Sequence, residues 1–166
     1  MKNFYFFLVI IFSIKMLNAQ TQSHHSSETG NEIKTLTSEQ IKNYLNGEGM
    51  GLAKTAELNH FPGPKHVLDL AKELKLSQTQ IDSTKKIFDL MKENAIYLGK
   101  IIIEKEKQLD QLFSSGTADE VSVKKLVTEI AKFQGELRFT HLNAHIQQKD
   151  ILTSEQILTY ESMRGY

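Results

Sequence analysis

The 166-residue sequence has no cysteine, no tryptophan, only two prolines and no excess of charge, since 20 Lys+Arg balance 20 Asp+Glu. Without cysteine the chain is neither a disulfide-stapled module nor a lipoprotein anchored through that residue. Without net positive charge it lacks the attraction to phosphate that supplies most non-specific nucleic-acid affinity. No basic patch replaces that attraction, so a nucleic-acid partner is excluded. Few prolines and 8% aromatics argue against a turn-rich sandwich. The length is about that of one domain, which rules out a large two-domain enzyme. With 40% hydrophobic residues the chain can bury a core, and the composition predicts an all-α protein.

One long apolar run is present, and it stands at the start. Lys2 precedes uninterrupted apolar residues Phe4 to Phe12, and Leu17-Asn18-Ala19 before Gln20 has the form of a small-residue cleavage site. The run stops near Ile14, short of the roughly 20 residues a spanning helix needs. Residues 1–19 therefore read as a secretory signal cleaved after Ala19, with an uncleaved anchor as the alternative. Removing Lys2 and Lys15 leaves 18 basic against 20 acidic residues, a slightly acidic exported chain. Residues 20–35 begin with the polar stretch Gln20 to Asn31, which carries His24 and His25 and reads as a disordered tether.

A hexad of the form L-[ST]-x-x-Q-I then occurs three times: Leu36-Thr37-Ser38-Glu39-Gln40-Ile41, Leu76-Ser77-Gln78-Thr79-Gln80-Ile81 and Leu152-Thr153-Ser154-Glu155-Gln156-Ile157. In each, the Thr or Ser hydroxyl is placed to accept from the N3 amide. The Gln side chain can reach back to the cap's own N–H, completing a capping box, and the flanking Leu and Ile form a hydrophobic staple. Three helix starts follow at Ser38, Gln78 and Ser154.

From the second start to Phe113 there is no proline, and apolar residues recur by sevens as Ile81, Phe88, Ala95, Ile102 and Leu109. A second series of Met91, Leu98 and Leu112 is broken by Thr84 and Lys105. Ser114 to Asp119 breaks the helix at Gly116, and a second long helix is predicted to Lys149. Its stripes are Val123, Ile130, Leu137 and Ala144, with Leu126 and Phe133. The short loop makes the two antiparallel neighbours, with Met91 opposite roughly His141 and Phe88 near the His145 level. A final helix runs from Ser154 to about Met163 and ends at Gly165. Upstream, Gly47-Glu48-Gly49-Met50-Gly51 lacks the spacing and the Lys-Ser/Thr pair of a phosphate loop and reads as a hinge. A helix is predicted from about Met50 to Leu58, then a corner at His60-Phe61-Pro62-Gly63-Pro64. After the corner, a short helix carries Val67, Leu68, Leu70, Ala71 and Leu74 on its apolar face. Residues 36–63 thus form short N-terminal helices and 64–166 the principal domain. The predicted fold is a long antiparallel helical hairpin with short flanking helices, paired as a homodimer.

LSQTQ (Leu76 to Gln80) and LTSEQ (Leu152 to Gln156), flanking a long hairpin and followed by Tyr160 and Arg164-Gly165, resemble the LTxxQ motifs of the Spy/CpxP family of periplasmic proteins. Ser replaces Thr in the first, which capping chemistry tolerates. The resemblance covers about Pro64 to Tyr166. It implies an all-helical, often dimeric, curved fold, periplasmic location and ATP-independent holding of unfolded or misfolding polypeptides. In heavy-metal-binding and metal-sensing relatives it implies a metal-loaded variant of that fold. A structural dimer acting as adaptor for a membrane sensor protein is a further possibility at the level of fold alone.

The residues offer one constellation for metal. His141 and His145 stand at i and i+4, one above the other on a helix, and such imidazoles can chelate Zn, Cu or Ni. In the heptad frame His141 flanks the stripe and His145 points outward, so both are expected within reach of solvent. Folding at Gly116 brings them near His66 and His60, a four-histidine cluster at one end. Met91 and Met50 could add thioethers suited to Cu(I), though methionine on a heptad stripe is usually core filler. The alternative is a set of solvated or hydrogen-bonded helix histidines. Position 142 is Leu, so H-E-x-x-H is absent and a zinc protease is rejected. No Ser, His and acid combination stands out as a nucleophilic site, no enzymatic activity is expected and no cofactor is required.

Overall fold

The computed structural model describes residues 33–165. The signal, its cleavage point, most of the tether and His24 and His25 lie outside them. Among the described residues every regular element is helical: α1 Ser38–Asn46, α2 Lys54–Glu57, α3 Pro64–Asp69, α4 Gln78–Ser114, α5 Glu120–Ile151 and α6 Ser154–Arg164.

All three hexads start helices, and all three do so with complete capping boxes. Thr37, Ser77 and Thr153 are extended N-caps whose hydroxyls accept from Gln40, Gln80 and Gln156 N–H. The cap N–H groups donate back to the Gln Oε1 atoms at 2.8, 3.0 and 3.0 Å. The second and third boxes go further, because their glutamines face each other. Gln80 Nε2 donates to Gln156 Oε1 at 2.8 Å and Gln156 Nε2 to Gln80 Oε1 at 3.3 Å. The same amides also reach the backbone, Gln80 Nε2 to the Ile151 carbonyl (2.9 Å) and Gln156 Nε2 to the Leu74 carbonyl (3.1 Å). Two local caps thereby become one clasp joining the start of α4, the end of α5 and the start of α6. Beneath it Val67, Leu74, Leu152 and Tyr160 are buried, with Leu70, Leu76 and Ile157 packed against them.

α4, of 37 residues, and α5, of 32, form the antiparallel hairpin. At 1.5 Å per residue α4 is about 55 Å long. The turn is closed by Asp119, whose carboxylate accepts from Val121 and Ser122 N–H at 2.9 and 3.1 Å. The heptad stripes meet: Ala95, Leu98, Ile102 and Leu137 make one buried cluster with Tyr44, Leu52 and Phe133 against it. Leu126, Ile130 and Ala144 are buried as well. Thr84, expected to interrupt its stripe, is fully buried, because Gln148 Nε2 donates to its hydroxyl at 3.2 Å.

α1 packs on α4, α2 on α5 and α3 on both. The α1 contact requires Gly99, since a Cβ there would lie 2.5 Å from the Tyr44 carbonyl oxygen. Two upstream expectations need correction. The predicted helix from Met50 to Leu58 shrinks to Lys54–Glu57. Met50 adopts φ 44°, which an α-helix cannot contain, and Ala53 supplies no side-chain cap. α3 ends at Asp69, short of Leu74, and the chain returns through turns in which Lys75 has φ 50°. Leu74 is buried nonetheless.

Candidate functional site

The glycine segment and the His60–Pro64 corner are laid against the α4–α5 pair at its open end, a few turns in from the clasp. They enclose a cavity of about 400 Å³ whose walls include Phe88 and Met91 of α4, His141 and His145 of α5, His66 of α3 and Met50 of the loop. This meeting of Met91 and Phe88 with the two α5 histidines is the register the fold about Gly116 predicts.

Both α5 histidines are buried, His141 with 3% and His145 with 6% exposure. The expected solvent access is therefore wrong, because the N-terminal segments cover the face that the hairpin alone would leave open. His145 Nδ1 stands 2.8 Å from the Phe61 carbonyl oxygen. A carbonyl only accepts, so Nδ1 carries the proton, and the neutral tautomer compatible with this bond has its lone pair on Nε2. Gly63 lies against that ring: a Cβ there would meet Cε1 at 2.8 Å and Nε2 at 3.0 Å, with Glu57 Oε1 3.5 Å away. His141 differs, since its Nε2 is buried with no hydrogen-bond partner among the described residues. Burial pushes the His141 pKa down and the electrostatic influence of neighbouring His145 adds to this, while Glu48 opposes both. The shift favours the neutral form of His141.

His66 Nε2 lies 3.8 Å from Glu57 Oε1 and its Nδ1 3.6 Å from Asp69 Oδ2. Its pKa is also lowered, chiefly by burial and then by Arg164, against the pull of Glu57. His60 is not at the cavity. Its backbone is left-handed, φ 68°, and its ring pairs with Glu161 of α6 while remaining largely exposed. The four histidines do not form one cluster; three line the cavity and the fourth ties the corner to α6. Among the described residues no three His, Cys, Asp or Glu side chains form a group able to hold a metal ion.

The corner itself is fastened by several bonds. Besides the His145 and His60 contacts, Gly63 N–H donates to the Tyr160 hydroxyl at 3.4 Å and Lys149 Nζ sits 3.9 Å above the Phe61 ring. Sequence reasoning did not find Glu57, Phe61 or Gly63 as site residues. The readable signal was a glycine between two prolines, a place where a backbone can approach a bulky ring.

Among the described residues no element covers the opposite side of the hairpin. Leu90 and Tyr97 of α4 are 57% and 65% exposed, and Phe139 and Ile146 of α5 are 62% and 49% exposed. Each pair is spaced by one heptad, two residues beyond the core stripe. Between the helices a groove of about 160 Å³ is lined by Ile87, Leu90, Met91, Phe139 and Ala144, among others. No described helix is long and apolar enough to cross a membrane. Compared with family models, curated proteins and solved structures, the chain matches none.

Proposed function

We propose that this chain is an exported, periplasmic binding protein of Spy/CpxP type that holds unfolded or misfolded polypeptides on the bare face of its hairpin without nucleotide and without catalysis. The observation that carries this reading is the heptad-spaced set Leu90, Tyr97, Phe139 and Ile146, at least 49% exposed on a face no other described element covers. Contiguous exposed apolar surface marks interaction sites, and helical grooves of this kind take apolar segments of partners. The LTxxQ resemblance and the export signal agree with it. The test is aggregation of a denatured client, followed by light scattering, at substoichiometric to equimolar ratios of the full exported chain. The wild type delays aggregation; Leu90→Ser/Phe139→Ser, with unchanged helical circular dichroism, does not. Equal protection by both, or by neither, removes the reading. Homodimerisation and recognition by a membrane sensor protein belong to the same proposal.

A second reading, binding of a heavy metal such as Zn, Cu or Ni, is favoured by a different observation. The bond from His145 Nδ1 to the Phe61 carbonyl leaves Nε2 as the ring's ligating position, and His141 Nε2 is buried without a partner among the described residues, with both rings in one cavity. Titration calorimetry on wild type and His141→Ala/His145→Ala tests it, since identical isotherms defeat it.

A further inference from the structure

Resting on the metal reading, we infer that the cavity is built for a monovalent thiophilic cation, Cu(I), taken by His145 Nε2, His141 and the Met91 thioether, and not for a divalent ion.

The first support is the state of His145. A metal-binding imidazole ordinarily donates its other ring N–H to a carboxylate or backbone carbonyl, which fixes the tautomer and raises ligand basicity. His145 has that arrangement, with the Phe61 carbonyl as acceptor at 2.8 Å. The glycine at position 63 leaves beside Cε1 and Nε2 a space that its own Cβ would otherwise fill, 2.8 and 3.0 Å from those atoms. The second support is His141, a side chain 3% exposed whose Nε2 has no protein partner. A buried polar atom without a partner costs about 1–3 kcal/mol; a bound cation would supply the missing partner.

The choice of ion follows from what else lines the cavity. Structural zinc takes four N or S ligands and catalytic zinc three protein ligands plus water. Among the described residues no group of three His, Cys, Asp or Glu side chains is present to meet that demand. Two methionines do line the walls, Met91 from α4 and Met50 from the glycine loop. Met50 is held at φ 44°, a region that a non-glycine residue occupies at a cost, although glycines stand on both sides of it. Thioethers and imidazoles together select Cu(I), whereas carboxylates and additional imidazoles would be wanted for zinc or nickel.

The experiment uses the full exported chain under anaerobic, reducing conditions. It is run in wild type and in a His24→Ala/His25→Ala background that removes the tether histidines as competing ligands. Cu(I) is titrated against a chromophoric Cu(I) chelator, and Zn²⁺ and Ni²⁺ are titrated by calorimetry. The expected result is one equivalent of Cu(I) in both backgrounds, with X-ray absorption showing sulfur as well as nitrogen around copper. Loss of an outer-shell partner weakens metal affinity about 10–100-fold, so Met91→Leu, which conserves volume, should weaken Cu(I) by at least that and remove the sulfur signal. His145→Ala should abolish binding. Histidine-dependent zinc or nickel binding without tight Cu(I), or Cu(I) binding that Met91→Leu leaves unchanged, overturns this inference while leaving the metal reading in place. Absence of binding by all three ions overturns both.

Discussion

The glutamine clasp can be tested quantitatively, because the three hexads are alike in sequence and unequal in what their glutamines do. Among the described residues the Gln40 side chain makes its local cap bond alone, accepting from Thr37 N–H at 2.8 Å at an exposed helix start. Gln156 makes the same bond to Thr153 and, in addition, donates to the Leu74 carbonyl and to Gln80 Oε1 and accepts from Gln80 Nε2. A net intramolecular hydrogen bond contributes about 1 kcal/mol. Gln40→Ala should then destabilise the fold by roughly 0.5–1 kcal/mol, and Gln156→Ala by roughly 2–4 kcal/mol. Gln80→Ala should resemble Gln156→Ala, because it loses the bond to the Ile151 carbonyl as well. The pair should couple: the double variant Gln80→Ala/Gln156→Ala should fall short of the summed single losses by about 1–2 kcal/mol, whereas Gln40→Ala/Gln156→Ala should add to within about 0.5 kcal/mol. Urea unfolding followed by far-ultraviolet circular dichroism measures all of these from midpoints at constant slope. Gln156→Glu sharpens the comparison, since it keeps an acceptor for the cap N–H and loses the two donated bonds. Equal losses at Gln40 and Gln156, or strict additivity at Gln80 and Gln156, would refute the clasp.

Three further outcomes follow from contacts already described. Gly63→Ala places a methyl group 2.8 Å from the His145 ring; the ring or the corner must shift, at about 1–3 kcal/mol, and the His145 imidazole NMR resonances should move with it. Thr84→Val removes the one acceptor of Gln148 Nε2 in a fully buried pair whose Gln148 Oε1 is already unpartnered. It should cost about 1–3 kcal/mol in thermal or urea unfolding, most of which Thr84→Val/Gln148→Leu should restore. His141 is held below the ordinary imidazole range by burial first and by His145 second. The unfolded chain thus takes up a proton near pH 6.5 that the folded chain refuses, so this contribution leaves stability intact above about pH 6.5 and lowers it as pH falls towards the folded value. Unfolding midpoints at pH 7.5 and 5.5 should differ less in His141→Gln than in wild type, with the remaining slope owed partly to His66, which shifts in the same direction.

The hairpin was legible because its determinants are local or periodic. A Ser or Thr three residues before Gln marks a helix start wherever it lies, and stripes by sevens such as Ala95-Ile102 and Ile130-Leu137 need only a partner of the same kind. What escaped was set by backbone shape. Nothing in Gly49-Met50-Gly51 announces that the methionine, with glycines beside it, takes the left-handed turn and so prevents a helix there. The exposure of His141 and His145 was misjudged for a related reason. Seen from the hairpin alone one of them faces outward, and only the tertiary placement of the corner, with Phe61 and Gly63 against His145, encloses them. Thr84 looked like a gap in a stripe until Gln148 met it from the other helix. The bare face was readable in part, since Leu90, Tyr97, Phe139 and Ile146 keep the heptad spacing outside the core stripe. No periodicity could say that it would stay uncovered.

The bracing of the two rods is lopsided. The clasp, the corner and α6 all grip the end where α4 begins and α5 finishes, and among the described residues the N-terminal segment meets α4 further along, at the Thr35–Glu106 hydrogen bond. Towards the Asp119 turn the two helices pack on each other through Leu126 and Ile130, with Phe113 and Val121 standing out in solvent. Among the described residues the histidine chamber thus sits beside the most heavily fastened joint of the hairpin, and the Gly116 turn, with open space around it, is the place where an added loop would disturb least.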